Sequence, residues 1–93
     1  VSEDDIYTIA GYDFDWRRVG RRLLDDQKVK DIDNEGGSEA EKREKMLLKW
    51  RSAKSRDATY QALGKVLRAP GIDNNATADR VEKLERSRSQ GNK

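Results

Sequence analysis

The sequence predicts an all-α fold: six short helices packed as one antiparallel bundle. Three observations support this. Apolar residues recur at three- and four-residue spacing along most of the chain. No period-two alternation lasts a strand's length, and proline occurs once, at Pro70. Breaks at Gly11 to Asp13, Leu24 to Asp26, Gly36-Gly37, Ser55 to Ala58 and Pro70 to Asn75 leave six segments. Charged residues are 41% and hydrophobic residues 33%, near the composition of disordered chains. Regular spacing and a near balance of 20 bases against 18 acids favour a folded, highly charged domain instead. A chain of 93 residues buries only a modest core, so nearly every large apolar residue should be structural.

The first segment, about 3–10, sets Ile6, Ile9 and Ala10 on one face. Asp15 is a suitable N-cap for the second, where Trp16, Val19, Gly20 and Leu23 form the inward stripe. The third, about 26–34, has Val29 and Ile32 as its apolar anchors. Ser38 with Glu41 three residues on makes a capping box at the start of the fourth. Its expected stripe is Ala40, Met46, Leu47, Trp50 and Ala53, with the stem of Arg43 along the core and its guanidinium in water. The fifth segment, Thr59 to about Ala69, turns Thr59, Leu63, Val66 and Leu67 inward and stops at Pro70-Gly71. The sixth, from about Ala76, contributes Ala78, Val81 and Leu84. Residues 86–93 have no apolar residue, so the domain is expected to end at 85 and the tail to be disordered. If the two tryptophans are buried, each indole N–H needs a partner. Val1 in the place of methionine is what a piece of a longer protein would show.

Charge is segregated along the chain. Residues 1–15 hold five acids and no base, and Arg17, Arg18, Arg21 and Arg22 then follow without an acid among them. Residues 25–35 hold five acids against Lys28 and Lys30, and residues 38–56 hold seven bases against three acids. Alternating patches of opposite sign suit a partner with complementary patches. Arg18, Arg21 and Arg22 lie three or four apart and share one exposed face. Two readings of the arginines stand: a solvated face worth little, or a recognition patch whose planar forks grip carboxylates. Asp25 and Asp26 suit capping of the third helix or binding, Asp31 suits binding, and Lys42, Lys45, Lys49 and Arg51 form a mostly solvated face with a minor share in docking.

Several chemistries have no support. Histidine and cysteine are absent, which removes the commonest general base and metal ligand together with any disulfide framework. Asp31 to Gly36 imitates the start of a calcium loop but lacks its spacing and closing glutamate. No phosphate loop, activated nucleophile or zinc spacing occurs. No enzyme activity, cofactor, metal or small-molecule substrate is therefore expected. No apolar run is long enough to span a bilayer or act as a signal peptide, so direct membrane insertion is not expected either. A nucleic-acid-binding helical domain is the rival reading, permitted by a pI of about 9.0. Acidic segments on both sides of the arginine helix oppose it.

Asp15-Trp16-Arg17-Arg18-Val19-Gly20-Arg21-Arg22-Leu23 resembles the second-helix signature of death domains, Trp, two residues, Leu-Ala, two more, then Leu. Val19-Gly20 stands in the place of Leu-Ala. The start, Asp-Trp-Arg-Arg, is also similar to the death domain of the Fas-associated adaptor. Val29 and Ile32 match the paired anchors of the third helix, and Met46 to Trp50 the end of the fourth, where a leucine precedes the tryptophan by three. Ala58 to Leu67 resembles the fifth helix, and Ala78, Val81 and Leu84 the sixth. The resemblance implies a non-catalytic module of a cytoplasmic adaptor or receptor tail in apoptotic or innate-immune signalling. Its implied partners are other death domains, docked by pairing the face of the first and fourth helices with the second–third corner of a neighbour. Such contacts can build helical stacks. The implied partner-binding residues are Arg17, Arg18, Arg21, Arg22, Asp25, Asp26, Asp31 and Lys49, with Arg21 foremost because it directly follows the apolar pair.

Overall fold

The computed structural model describes the backbone of residues 2–91 and the side chains of residues 2–87. Six helices follow in order: α1 (Glu3–Ala10), α2 (Trp16–Leu23), α3 (Asp26–Glu35), α4 (Glu39–Lys54), α5 (Tyr60–Leu67) and α6 (Asn75–Gly91). A single 3₁₀ turn, Ser55–Asp57, joins α4 to α5. The fold is all-α, as the periodicity predicts.

Side-chain caps fix the helix starts. Ser2, Asp15, Asp25, Ser38 and Thr59 each accept the backbone N–H three residues on, satisfying a donor that the helix leaves unpaired. Asn74 does the same for Thr77 at the head of α6 (3.2 Å). The Ser38 half of the expected capping box forms, with the Glu41 N–H 3.2 Å from Ser38 Oγ, but the Glu41 carboxylate accepts from the Ser38 hydroxyl at 3.3 Å rather than from its backbone N–H. Gly36 at φ 79° and Gly37 at φ 104° turn the chain between α3 and α4 through backbone conformations that favour glycine.

One core joins all six helices. Trp16, Leu23, Ile32, Leu47, Trp50, Leu63 and Val81 are buried in it together, with Ile6, Ile9, Val19, Met46 and Leu67. α1 packs on α4, α2 on α3, α4 and α5, and α5 on α6. Gly20 permits the close approach of α2: a Cβ there would stand 2.9 Å from Val29 Cγ2 and 3.1 Å from Met46 Cγ.

The structure departs from the sequence reading in several places. Thr59, expected to face inward, is exposed as the N-cap of α5, where its hydroxyl accepts the Ala62 N–H at 3.0 Å. Ala40 and Ala53 are exposed, because the 16-residue α4 overhangs the core at both ends. Phe14, in the loop before α2, is buried although no periodicity marks it. Arg43 does not send its guanidinium to water. Its Nε donates to the Ala10 carbonyl at 2.7 Å, closing α1, which has no basic residue in its own last turn. Finally, α6 is helical through Gly91, where disorder was expected from Arg86. No proline and no earlier glycine interrupts residues 75–90, so backbone propensity carries the helix past its last apolar anchor. Residues 92–93 of the expected tail lie outside the described residues.

Candidate functional site: an arginine corner and an acidic face

The four arginines of α2 divide into one internal and three external. Arg17 lies over the Trp16 ring at 4.8 Å. Its fork reaches Asp33 on α3 through Nη2–Oδ1 (2.9 Å) and Nε–Oδ2 (3.3 Å), and Nη1 meets Glu39 Oε1 at 3.3 Å. Glu39 also accepts the Trp16 indole N–H at 2.7 Å, which supplies the partner that this buried ring needs. Lys42 Nζ completes the cluster at 2.8 Å from Asp33. Two cationic donors hold the Asp33 carboxyl at a pKa of about 2, with the Arg17 hydrogen bond the larger cause. The Glu39 pKa is lowered, first by the Trp16 hydrogen bond. This cluster clamps α2, α3 and α4 together. Lys42 is correspondingly well covered, with 13% of its side chain exposed, so it does not belong to a solvated face.

Arg18, Arg21 and Arg22 project to the other side. With Pro70 and Gly71 of the α5–α6 turn they line an open depression of about 430 Å³. Arg18 donates through Nη1 to the Gly71 carbonyl, and its Nε lies 3.4 Å from Asp15. Arg22 Nη2 donates to the Pro70 carbonyl at 3.2 Å. Arg21 Nε meets Asp26 at 3.1 Å, and both side chains are more than half exposed. The helix periodicity of α2 and the return of the chain at Pro70-Gly71 together place the three guanidiniums around one concavity.

The acids of the α2–α3 corner have local partners. Asp25 caps α3 through the Lys28 N–H (2.8 Å) and also meets Lys28 Nζ at 3.2 Å. Asp26 is shared between Arg21 and Lys30. Both pKa values are lowered, Asp25 chiefly by the Lys28 backbone N–H and Asp26 chiefly by the Lys30 hydrogen bond. Asp31 is exposed on α3 and accepts from Gln27 at 3.0 Å. Lys49 stands elsewhere, on a second depression between α3 and α4 that Lys28, Leu48, Ser52 and Ala53 also line. The structure thus gathers Arg18, Arg21, Arg22 and Asp26 at one corner, turns Arg17 to the helix clamp, and sets Lys49 apart.

A second surface lies on α1 and α4, the face that the resemblance implied without naming its residues. Tyr7 on α1 is the large hydrophobic residue left exposed among the described residues (47%). Its hydroxyl donates to Glu3 Oε1 at 2.9 Å. That hydrogen bond is the first cause that raises the phenol's pKa, and the charges of Glu3, Glu44 and Asp4 add to it. Glu3, Asp4 and Tyr7 of α1 and Glu44 of α4 therefore share one acidic face. The acid run at the start of the chain was its visible signal; the contribution of Glu44 needed the α1–α4 packing. Asp5, from the same run, is buried instead and accepts the Tyr60 hydroxyl of α5.

Among the described residues, no group of three or more acidic side chains could hold a metal ion, and no helix is long and apolar enough to cross a membrane. Comparison with the curated proteins and with the solved structures finds no match. The family model of the death domain, a non-catalytic protein–protein interaction module of signalling, matches residues 3–85. That range contains every helix-to-helix contact described above and both charged surfaces, and the chain belongs to the death domain family.

Proposed function

We propose that this death domain assembles signalling complexes by homotypic docking, its arginine corner seating on the acidic face of another death domain. The observation that carries the reading is the convergence of Arg18, Arg21 and Arg22 on one open depression. The acidic α1–α4 face with its exposed Tyr7 is the kind of surface that would complement it. Because the two surfaces differ, a contact between copies is head-to-tail and can propagate as a helical stack. Asp31, Lys49 and Arg17, the last from the opposite side of α2, are proposed as peripheral contributors, and Asp25 and Asp26 as residues at the edge of the corner that meet the partner there. The parent protein is proposed to be a cytoplasmic adaptor or receptor in apoptotic or innate-immune signalling, on the likeness of Asp15 to Arg18 to the Fas-associated adaptor.

Arg21→Glu tests the reading. The Arg21–Asp26 pair is exposed and contributes little to stability, so the melting temperature should hold and the free energy change by no more than about 0.5 kcal/mol. Capture of a partner death domain should weaken by about 2 kcal/mol, roughly 30-fold in Kd. Added salt should slow association of the wild type. A variant that folds and binds as the wild type does would exclude the arginine corner and shift attention to Lys49.

A further inference from the structure

The arginine corner has more donor capacity than a carboxylate partner can use. A guanidinium carries five N–H donors, and the protein occupies few of them here. Arg18 donates through Nη1, its Nε being only ion-paired with Asp15 at 3.4 Å, Arg21 donates through Nε, and Arg22 through Nη2. Among the described residues, Nη2 of Arg18, both terminal nitrogens of Arg21, and Nε and Nη1 of Arg22 have no protein partner. Among the described residues Arg22 pairs with no carboxylate; its protein partner is the Pro70 carbonyl. The two turn carbonyls hold the forks of Arg18 and Arg22 in place, so less side-chain freedom is lost when an anion arrives.

A carboxylate presents two oxygens, which one guanidinium fork satisfies. A phosphomonoester presents three acceptor oxygens and close to two negative charges near neutral pH. Its shape and charge suit three forks converging on a concavity of about 430 Å³. The rim opposes a longer polyanion. Asp15 stands 3.4 Å from Arg18, Asp26 stands 3.1 Å from Arg21, and Asp73 accepts the Gly71 N–H at 3.4 Å. An extended phosphodiester would bring further negative charges towards these acids, whereas a single compact dianion brings only the charge that the three guanidiniums face.

We infer that the depression formed by Arg18, Arg21, Arg22 and the Pro70-Gly71 turn is a receptor for a phosphoserine side chain of a docking partner. The inference rests on the docking reading for the claim that partners meet this face, and adds the chemical class of what they insert. Phosphorylation of the partner then acts as the signal that strengthens assembly at this corner.

The test is a titration of the isotope-labelled domain, following the arginine Nε–H signals and the Gly71 amide. The probes are N-acetyl-phosphoserine amide, N-acetyl-glutamate amide, inorganic phosphate and a short DNA duplex. Phosphoserine amide should shift the signals of Arg18, Arg21 and Arg22 at about tenfold lower concentration than the glutamate probe. Its apparent affinity should rise about tenfold between pH 5 and pH 7.5, as the second phosphate proton with pKa near 6 is lost. Arg22→Gln should weaken it about tenfold, while Lys54→Gln on exposed α4 should leave it unchanged; melting curves confirm that both variants fold. Equal response to the glutamate probe would overturn the phosphate assignment and leave the docking reading intact. Equal response to inorganic phosphate would overturn the side chain as its source, and tighter binding of duplex would overturn the compact-dianion argument. Silence towards every probe, with capture of a partner death domain retained, would sink this inference alone. Loss of both would sink the docking reading as well.

Discussion

Gly20 sets the distance at which α2 lies on α3 and α4, and Gly20→Ala measures how tightly that distance is held. Two effects oppose each other. Alanine in place of glycine inside a helix contributes about 1 kcal/mol of stability through propensity. The added Cβ would stand 2.9 Å from Val29 Cγ2 and 3.1 Å from Met46 Cγ, inside ordinary contact distance. Met46 is unbranched and can yield. Val29 is β-branched on a helix, with one strongly preferred rotamer, and it is 3% exposed, so its methyl has nowhere to go. Overpacking of this kind costs about 1–3 kcal/mol. The balance is a net loss of about 1 kcal/mol, which lowers the melting temperature of a domain this size by about 4–8 °C.

The decisive comparison is with Val29→Ala. That substitution removes the obstructing methyl, so Gly20→Ala added to it should stabilise by about 1 kcal/mol. The sign reverses between backgrounds, with a coupling of about 2 kcal/mol by thermal or urea melts of the four proteins. Should Gly20→Ala stabilise the wild type as much as it stabilises the Val29→Ala protein, the packing described for α2 is wrong.

Two further outcomes follow from the same contacts. Trp50→Ala removes one of the largest fully buried side chains and should cost about 3–5 kcal/mol, enough to abolish the cooperative melt of a small domain. The Asp33 carboxyl has its pKa lowered from 3.8 to about 2 in the folded state, so its contribution is fully present above pH 4 and is lost as pH falls from about 4 to 2. Melting temperature against pH should therefore decline on that acid limb, and Asp33→Asn should make it shallower, leaving the share of Asp25, Asp26 and Glu39, while the slope between pH 5 and 8 is unchanged.

Most of the fold could be read from the sequence, because helix starts and stripes are local. Asp15 with Trp16, Val19, Gly20 and Leu23, and Ser38 as the N-cap of α4, occupy the roles that their spacing predicts. What escaped is non-local. Phe14 is buried from a loop, where no period exists to reveal a face. Arg17 is indistinguishable from its neighbours on a charge map, yet its partners Asp33 and Glu39 lie 16 and 22 residues away. Arg18, Arg21 and Arg22 could be grouped by helix spacing, but the turn that completes their concavity stands 53 residues from Arg18. The acidic face likewise joins α1 to a glutamate of α4, which only packing brings together.

The carbonyl of Ala10 closes α1 by accepting from Arg43, 33 residues downstream, and Asp5 of the same helix takes its tyrosine from 55 residues downstream. An eight-residue helix is too short to persist alone in water. Its order therefore depends on contacts that close long loops of chain. The arginine concavity has the same dependence, since Pro70 and Gly71 must return to α2 before it exists. A partly folded chain in which these long-range contacts have not closed thus lacks both the acidic face and the arginine concavity.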